Sequence, residues 1–324
     1  MPTVLVTGAN GFLAGNTISE LLGRGYHVRG MLRKTAKVPF VHVNLEYFYG
    51  NITEEKEVVE AARGCDSIIH IAALTDMSVK NFEGYEKVNI TGTRYIIGAA
   101  LEQRVKSVIY VSTVNAFGFG TKSRPGVESM PMRQPFINSG YAVSKAEAQK
   151  LILNELAGSG ITATVVNPSF MIGPNDNKIS SNRIILRALG KRILFIPPGG
   201  KNFIHVMDAA RGICNAMEQG KDGECYILAN ENLTYREFYK KMASITREPQ
   251  LLITIPGVIL LLAGIAGNIA RYAGINTELS LTNMKILCLR NYYSSEKAVK
   301  KLNLQLTPVD KAIEDTLSWF GKYF

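Results

Sequence analysis

A tyrosine and a lysine stand four residues apart in SGYAVSK, at Tyr141 and Lys145. On a helix they share one face. A phenol there can give or take a proton, and an ammonium one turn away can stabilise its anion. The spacing alone does not single the pair out, because YSSEK sets Tyr293 and Lys297 at the same interval. Surroundings decide between them. The apolar run SVIYVS ends in Ser112 and is followed by Thr113, which puts hydroxyls at the carboxyl end of a strand, where open parallel sheets bind ligands. Ser139 then caps a helix whose first turns hold Tyr141 and Lys145. No hydroxyl-ended strand leads into Tyr293 and Lys297, so position selects the first pair.

Proton transfer at such a site needs a partner that moves electrons, and the N-terminus suggests one. TVLVTGANGFLAG reads as a strand, a Gly-rich turn and a helix. Gly8 and Gly11 permit a tight turn close to a pyrophosphate, Ala14 takes a third small position, and the helix N-terminus offers N–H donors to the anion. Gly8, Asn10, Gly11, Phe12 and Leu13 are therefore assigned to a dinucleotide. The second strand ends in GMLRKTAK, with Arg33 and Lys34 where an NAD site usually has a carboxylate for the ribose. Both cations suit a 2′-phosphate, which favours NADP over NAD. Asn51 and Ile52 fit an adenine edge and face. Ala72 and Ala73 are small enough for a dinucleotide backbone to lie close. His70, inside an apolar strand, reads as a core histidine.

The elements that must position these groups follow a β-α-β rhythm. Strands are expected at 3–7, 27–32, 46–50, 67–72, 107–112 and 162–167, with helices near 12–23, 54–62, 81–103 and 140–158. The fold class is α/β: a Rossmann-type, doubly wound parallel sheet with a smaller, mostly helical C-terminal substrate-binding region. Residues 1–170 form the dinucleotide domain, and 203–230 return to it as strand, helix and strand. Residues 171–202 and 231–290 form the substrate region. Residues 291–324 form a C-terminal segment ending in a helix with Thr307 as its N-cap.

The chain resembles an extended short-chain dehydrogenase/reductase of the NAD-dependent epimerase/dehydratase superfamily. The matching segments are TGANGFLAG, IHIAAL, VNITGT, VSTVNAFG, YAVSK, NPSFMIGP and FIHVMDAARG, in family order along essentially the whole length. RGMLRK, NPSFMIGP and the C-terminal stretch most resemble dihydroflavonol-reductase-like proteins, with hydroxysteroid dehydrogenases as near relatives. The resemblance implies that Tyr141 is the acid/base and that Lys145 holds the nicotinamide ribose and lowers the tyrosine pKa. It implies that Thr113 hydrogen-bonds the substrate oxygen, Asn89 braces the active-site helix beside the cofactor, and Pro168 lines the nicotinamide. The chain departs from the family pattern at Ala14, usually glycine, and at Asn51, commonly aspartate.

The presumed pocket, with Asn115, Phe117, Phe119, Phe136, Phe170 and Met171, is apolar and aromatic. Thr113, Asn115, Phe117 and Phe170 are the expected substrate contacts, and a hydrophobic ketone or aldehyde is the expected substrate. Arg183, Arg187, Lys191 and Arg192 leave a sugar-nucleotide epimerase or dehydratase open, and a non-catalytic dinucleotide sensor is a third reading. Net charge is +10, but no nucleic-acid module is present, so nucleic acid is not an expected partner. Cys65, Cys214, Cys225 and Cys288 lack metal-ligand spacing, so no metal is expected and a cytoplasmic setting is the simplest. The start MPTVLVTG has no basic n-region, so no signal peptide is expected. LLITIPGVILLLAGIAGNIARYAGI (251–275) reads first as a cover over the pocket and second as a peripheral membrane contact; a span is the weakest reading. A homodimer is compatible with the sequence, which does not set the oligomeric state.

Overall fold

The computed structural model describes residues 1–76, 78–79, 81–275 and 277–321. The first half alternates β1 (Thr3–Thr7), α1 (Phe12–Gly23), β2 (His27–Leu32), β3 (Leu45–Tyr49), α2 (Glu55–Ala62) and β4 (Ser67–His70). It continues through α3 (Phe82–Tyr85), α4 (Gly92–Gln103), β5 (Ser107–Val111), α5 (Gly140–Glu155) and β6 (Thr162–Pro168). The second half supplies β7 (Phe170–Ile172), α6 (Arg183–Leu186), β8 (Ile193–Ile196), β9 (Gly200–His205), α7 (Val206–Gln219), β10 (Cys225–Leu228) and β11 (Glu231–Thr234). Then come α8 (Tyr235–Thr246), β12 (Leu251–Thr254), α9 (Gly257–Tyr272), α10 (Leu281–Cys288), β13 (Arg290–Asn291), α11 (Glu296–Leu302) and α12 (Val309–Gly321).

Seven strands pair in parallel in the order β10-β6-β5-β4-β1-β2-β3. The apolar runs that form them cannot face water on either side, so helices cover both faces. One core lies under α1 and α7, around Val4, Val6, Ile18 and Ile213; the other lies under α2, α4 and α5, around Leu5, Ile68, Ile97 and Ile152. Strand order reverses between β1 and β4. The crevice at their carboxyl ends is where an open α/β sheet takes a ligand.

The expected helix over 81–103 is two α-segments joined by a π-helical turn, Glu86–Thr91. Such turns concentrate at functional sites. This one carries Asn89.

The segment 203–230 divides between two sheets. Helix α7 packs on α1 and β10 takes the main sheet's edge beside β6, as the return reading requires. Strand β9 does not return. It pairs antiparallel with β11 and parallel with β7 and β13. Its apolar residues look like those of any buried strand, and its partners are remote in sequence, so pairing could not be read from the run itself. The region expected to be mostly helical therefore carries this four-stranded sheet and a β8–β12 ribbon beside its helices. Its core is aromatic, with Phe203 stacked on Phe238 at 4.5 Å between ring centres. Thr307 does not cap α12. Its hydroxyl donates to Asp208 Oδ1, and the Val309 N–H goes to Glu231 Oε1.

Candidate active site

The crevice begins at the β1–α1 turn. Gly8 has φ +72°, a left-handed conformation that side chains resist, and a Cβ there would lie 3.0 Å from Ala72 Cα. The two conditions make Gly8 the residue that lets β1 and the β4 end close on each other, with Ala72 and Ala73 alongside. Gly11 begins α1 and donates its N–H to Gly8 O at 2.8 Å. No side chain caps α1, so its first-turn amides, at Phe12, Leu13 and Ala14, are left to an anion. Asn10 and Phe12 are partly exposed at this turn and Leu13 is buried beneath it.

At the β2 end, Arg33 and Lys34 are both exposed. They differ in their company. Lys34 Nζ pairs with Glu57 Oε1 at 3.2 Å, and Glu57 also accepts the Asn51 N–H at 2.7 Å. That backbone bond, followed by Lys34, holds the Glu57 carboxyl below its ordinary pKa. Arg33 makes no ion pair among the described residues; partial desolvation and then the Arg33 charge lower the pKa of exposed Lys178. Sequence reasoning missed Lys178. It sits on the 173–182 loop, which Asn16 ties to α1 through Pro174 O and Asn175. Asn51 Oδ1 accepts from Thr53 N at 3.2 Å, leaving one lone pair for an adenine amino group. Ile52 is nearly buried against Gly92.

The reacting groups meet at the β5 end. Ser139 caps α5 by accepting the Ala142 N–H at 3.4 Å. Gly140 lets the helix start close to the Tyr85 ring, where a Cβ would lie 2.9 Å away. Tyr141 and Lys145 follow one turn apart. Tyr141 opens partly to the crevice, and the Thr113 hydroxyl, which accepts the Asn115 N–H at 3.3 Å, is buried at the β5 end. Enclosure by protein pushes the phenol up to about 12, against the lowering effect of Thr113. Lys145 is only 2% exposed, with Nζ 4.1 Å from the Tyr110 ring centre, and burial pushes it down to about 7. The expectation that Lys145 lowers the Tyr141 pKa is not met in the protein by itself. The ammonium is destabilised by its own burial, and desolvation dominates the phenol.

Two asparagines fix this geometry. Asn89 accepts the Leu74 N–H at 2.7 Å and donates to Leu74 O and to Ser144 Oγ. These bonds tie the stretch after β4 to α5 through the Asn89 amide. Asn167, which sequence reasoning missed, donates to Thr113 O and Gln149 Oε1, both at 2.9 Å. Among the described residues, buried oxygens of Ser112, Asn167 and Ser169 lack a partner around the ends of β5 and β6, beside buried Pro168. Orphaned polar atoms in a crevice headed by an uncapped helix suit a polar dinucleotide. His70 is held by Thr7 at 2.8 Å and Thr93 at 3.2 Å, and burial pushes it down to about 3, so it stays neutral.

The expected pocket residues separate. Asn115 and Phe170 are partly exposed, whereas Phe117 is buried in a cluster with Ile227 and Tyr293. Phe117 is thus withdrawn from any substrate by its own packing. Phe136 is also buried, against Ala142 and Ile286. Lys201, absent from the sequence reading, holds Nζ 4.3 Å from the Phe170 ring centre, and burial pushes it down to about 8. Arg183 is exposed and pairs with Glu278 at 3.3 Å. The rival lysine, Lys297, pairs with Glu224 while Tyr293 is buried elsewhere, so those two form no site.

A switch-point crevice with a Gly-rich turn at one end and a tyrosine–lysine helix at the other defines a dinucleotide-dependent α/β enzyme. The sequence model of the NAD dependent epimerase/dehydratase family matches residues 4–229, and the chain belongs to that family, within the extended short-chain dehydrogenase/reductases. It is 28% identical to a putative dihydroflavonol 4-reductase of Synechocystis sp. over 98% of this chain and 94% of that protein. It is 31% identical to a 4-hydroxy-2-methyl-3-oxo-4-farnesyl-3,4-dihydroquinoline-1-oxide ketoreductase of Stigmatella aurantiaca over 69% of this chain and 67% of that protein. The crystal structure of gox2253 superposes with a TM-score of 0.83 at 29% identity, covering 100% of this chain and 99% of that one.

Proposed function

We infer that the protein reduces the carbonyl of a hydrophobic ketone or aldehyde with NADPH. The observation that carries this reading is Tyr141, half-buried on the first turns of α5 and one helical turn from buried Lys145, with the Thr113 hydroxyl at the end of β5. The bound dinucleotide supplies the hydride. Thr113 holds the substrate oxygen, and Tyr141 donates the proton that the oxygen acquires. A phenol kept near 12 is protonated at neutral pH and ready to donate. Lys145 is placed to meet ribose hydroxyls, and Asn89 and Asn167 keep the helix and the β5 end in register. A partly exposed Phe170 and few fixed charges suit an apolar substrate. The names of the two curated relatives, a reductase and a ketoreductase, support the same chemistry. The test is the absorbance of NADPH and NADH over a panel of hydrophobic carbonyl compounds, after identifying any dinucleotide that copurifies.

Exposed Arg33 at the β2 end, whose charge also reaches Lys178, supports NADPH over NADH, since two like charges favour an added anion. Arg33→Ala is expected to raise KM for NADPH by roughly 10- to 100-fold, the range of a charge-assisted hydrogen bond, with KM for NADH nearly unchanged. Lys178→Ala should move the same ratio less. Equal losses with both cofactors would count against a 2′-phosphate site. Lys201 favours a second reading, a sugar-nucleotide epimerase or dehydratase. It is a half-buried cation with no carboxylate partner among the described residues, so it suits an anionic substrate group. Stoichiometric bound NAD, with no turnover of free cofactor, would decide for that reading.

A further inference from the structure

The 251–275 segment leaves most of its apolar residues exposed. No helix among the described residues is long and apolar enough to cross a membrane. Helix α9 buries only Gly264 and Gly267. Added Cβ atoms there would lie 2.9 Å from Leu281 Cα and 2.4 Å from Leu279 O, so this glycine face is pressed onto the 279–281 backbone. That contact fixes the rotation of the helix. The opposite face carries Val258, Leu262, Ile265, Ile269 and Tyr272, at 62, 60, 47, 66 and 96% exposure. Their spacing of four, three, four and three residues makes one stripe.

The ribbon that leads into α9 extends this surface. Leu251 pairs with Ile193 and Ile253 with Phe195, and all four side chains are exposed. Directly paired residues share one face of a strand pair. Only Ile255 and Pro256 separate the ribbon from α9. No charged residue occurs from Pro249 to Ala270. Charges gather at the fringe instead: Lys191 and Arg192 are exposed just before β8, and Arg236 donates to Leu252 O and Thr254 Oγ1 on β12.

We propose that the α9 stripe and the β8–β12 ribbon form a monotopic docking face for an anionic lipid bilayer. An exposed apolar surface of this extent on a chain of net charge +10 is complementary to a hydrocarbon interface beneath acidic headgroups. Its makeup points the same way. Protein interfaces are enriched in Tyr, Trp and Arg, whereas this face is aliphatic apart from Phe195 and Tyr272. The docking does not depend on the proposed reduction. It bears on it, because the next helix, α10, shares a buried cluster with α5, in which Ile286 and Ala142 pack together with Phe136. One helical hairpin thus joins the lipid face to the wall behind Tyr141.

The full chain is floated with vesicles of phosphatidylcholine, with and without phosphatidylglycerol, and the double variant L262E/I265E is run beside it. Both substituted positions are exposed, so the fold is expected to hold, as circular dichroism would verify. Flotation with the mixed vesicles, reduced at least about tenfold by the variant and weakened by salt, is the expected result. Absence of wild-type flotation, or equal flotation of the variant, would overturn the proposal. So would a wild-type dimer in light scattering that becomes monomeric in the variant without lipid binding, which would assign the face to a second copy of the chain.

Discussion

Tyr141→Phe is expected to lower kcat for carbonyl reduction by on the order of 10³-fold, with NADPH binding nearly unchanged. The substitution removes one oxygen and leaves the ring in place. The Gly8–Gly11 turn and Arg33 are untouched, so a cofactor titration by fluorescence should resemble that of the parent. The same residue sets the pH response. Reduction uses the protonated phenol, which burial favours up to about 12 in the protein alone. Its rate should therefore hold through neutral pH and fall as alkaline pH removes the proton. Oxidation of the product alcohol uses the phenolate and should rise over the same range. A bound dinucleotide that stabilises the phenolate moves this limb to lower pH without changing its sign. Near-parental turnover in the variant, or reduction that climbs with pH, would remove Tyr141 from the acid/base role.

The parts of this site that are local in the chain were legible before the fold. Gly8 and Gly11 lie within one turn, and Tyr141 and Lys145 lie one turn apart on a helix that Ser139 caps, so local spacing carried their geometry. The seven-stranded sheet was legible for a similar reason, because strands buried on both faces leave unbroken apolar runs. What could not be read was juxtaposition. Lys178 comes under the Arg33 charge, Lys201 lies over the Phe170 ring, and Asn167 ties Thr113 to Gln149, each across distant stretches of chain. Phe117 looked like a pocket residue because it is aromatic and near Thr113, yet Ile227 and Tyr293 enclose it. Sheet membership of β9 failed in the same way. Electrostatics failed for a different reason: spacing brings a lysine near a tyrosine, but burial decides what each pKa does.

Lys145→Met is expected to stabilise the cofactor-free protein while abolishing turnover. The side chain is enclosed, and burial pushes its pKa from 10.5 down to about 7. Below pH 7 both folded and unfolded chains hold the proton, so the full cost of burying the charge opposes folding. Between about pH 7 and 10 the unfolded chain binds more protons than the folded one, and that cost is relieved as pH rises. Above this window both forms are neutral. Methionine matches the stem in shape and carries no charge to desolvate. The loss of the contact with Tyr110 offsets part of the gain, leaving on the order of 3 kcal/mol below pH 7. Thermal melts of both proteins at pH 6 and pH 9 check this: the variant should melt higher at pH 6, with a smaller difference at pH 9. A variant that melts lower at pH 6, or by a margin independent of pH, would mean that Lys145 is not held at a cost. The expected result, with activity lost, would mean that the lysine is kept for a partner that the folded chain does not itself provide, as ribose hydroxyls would be.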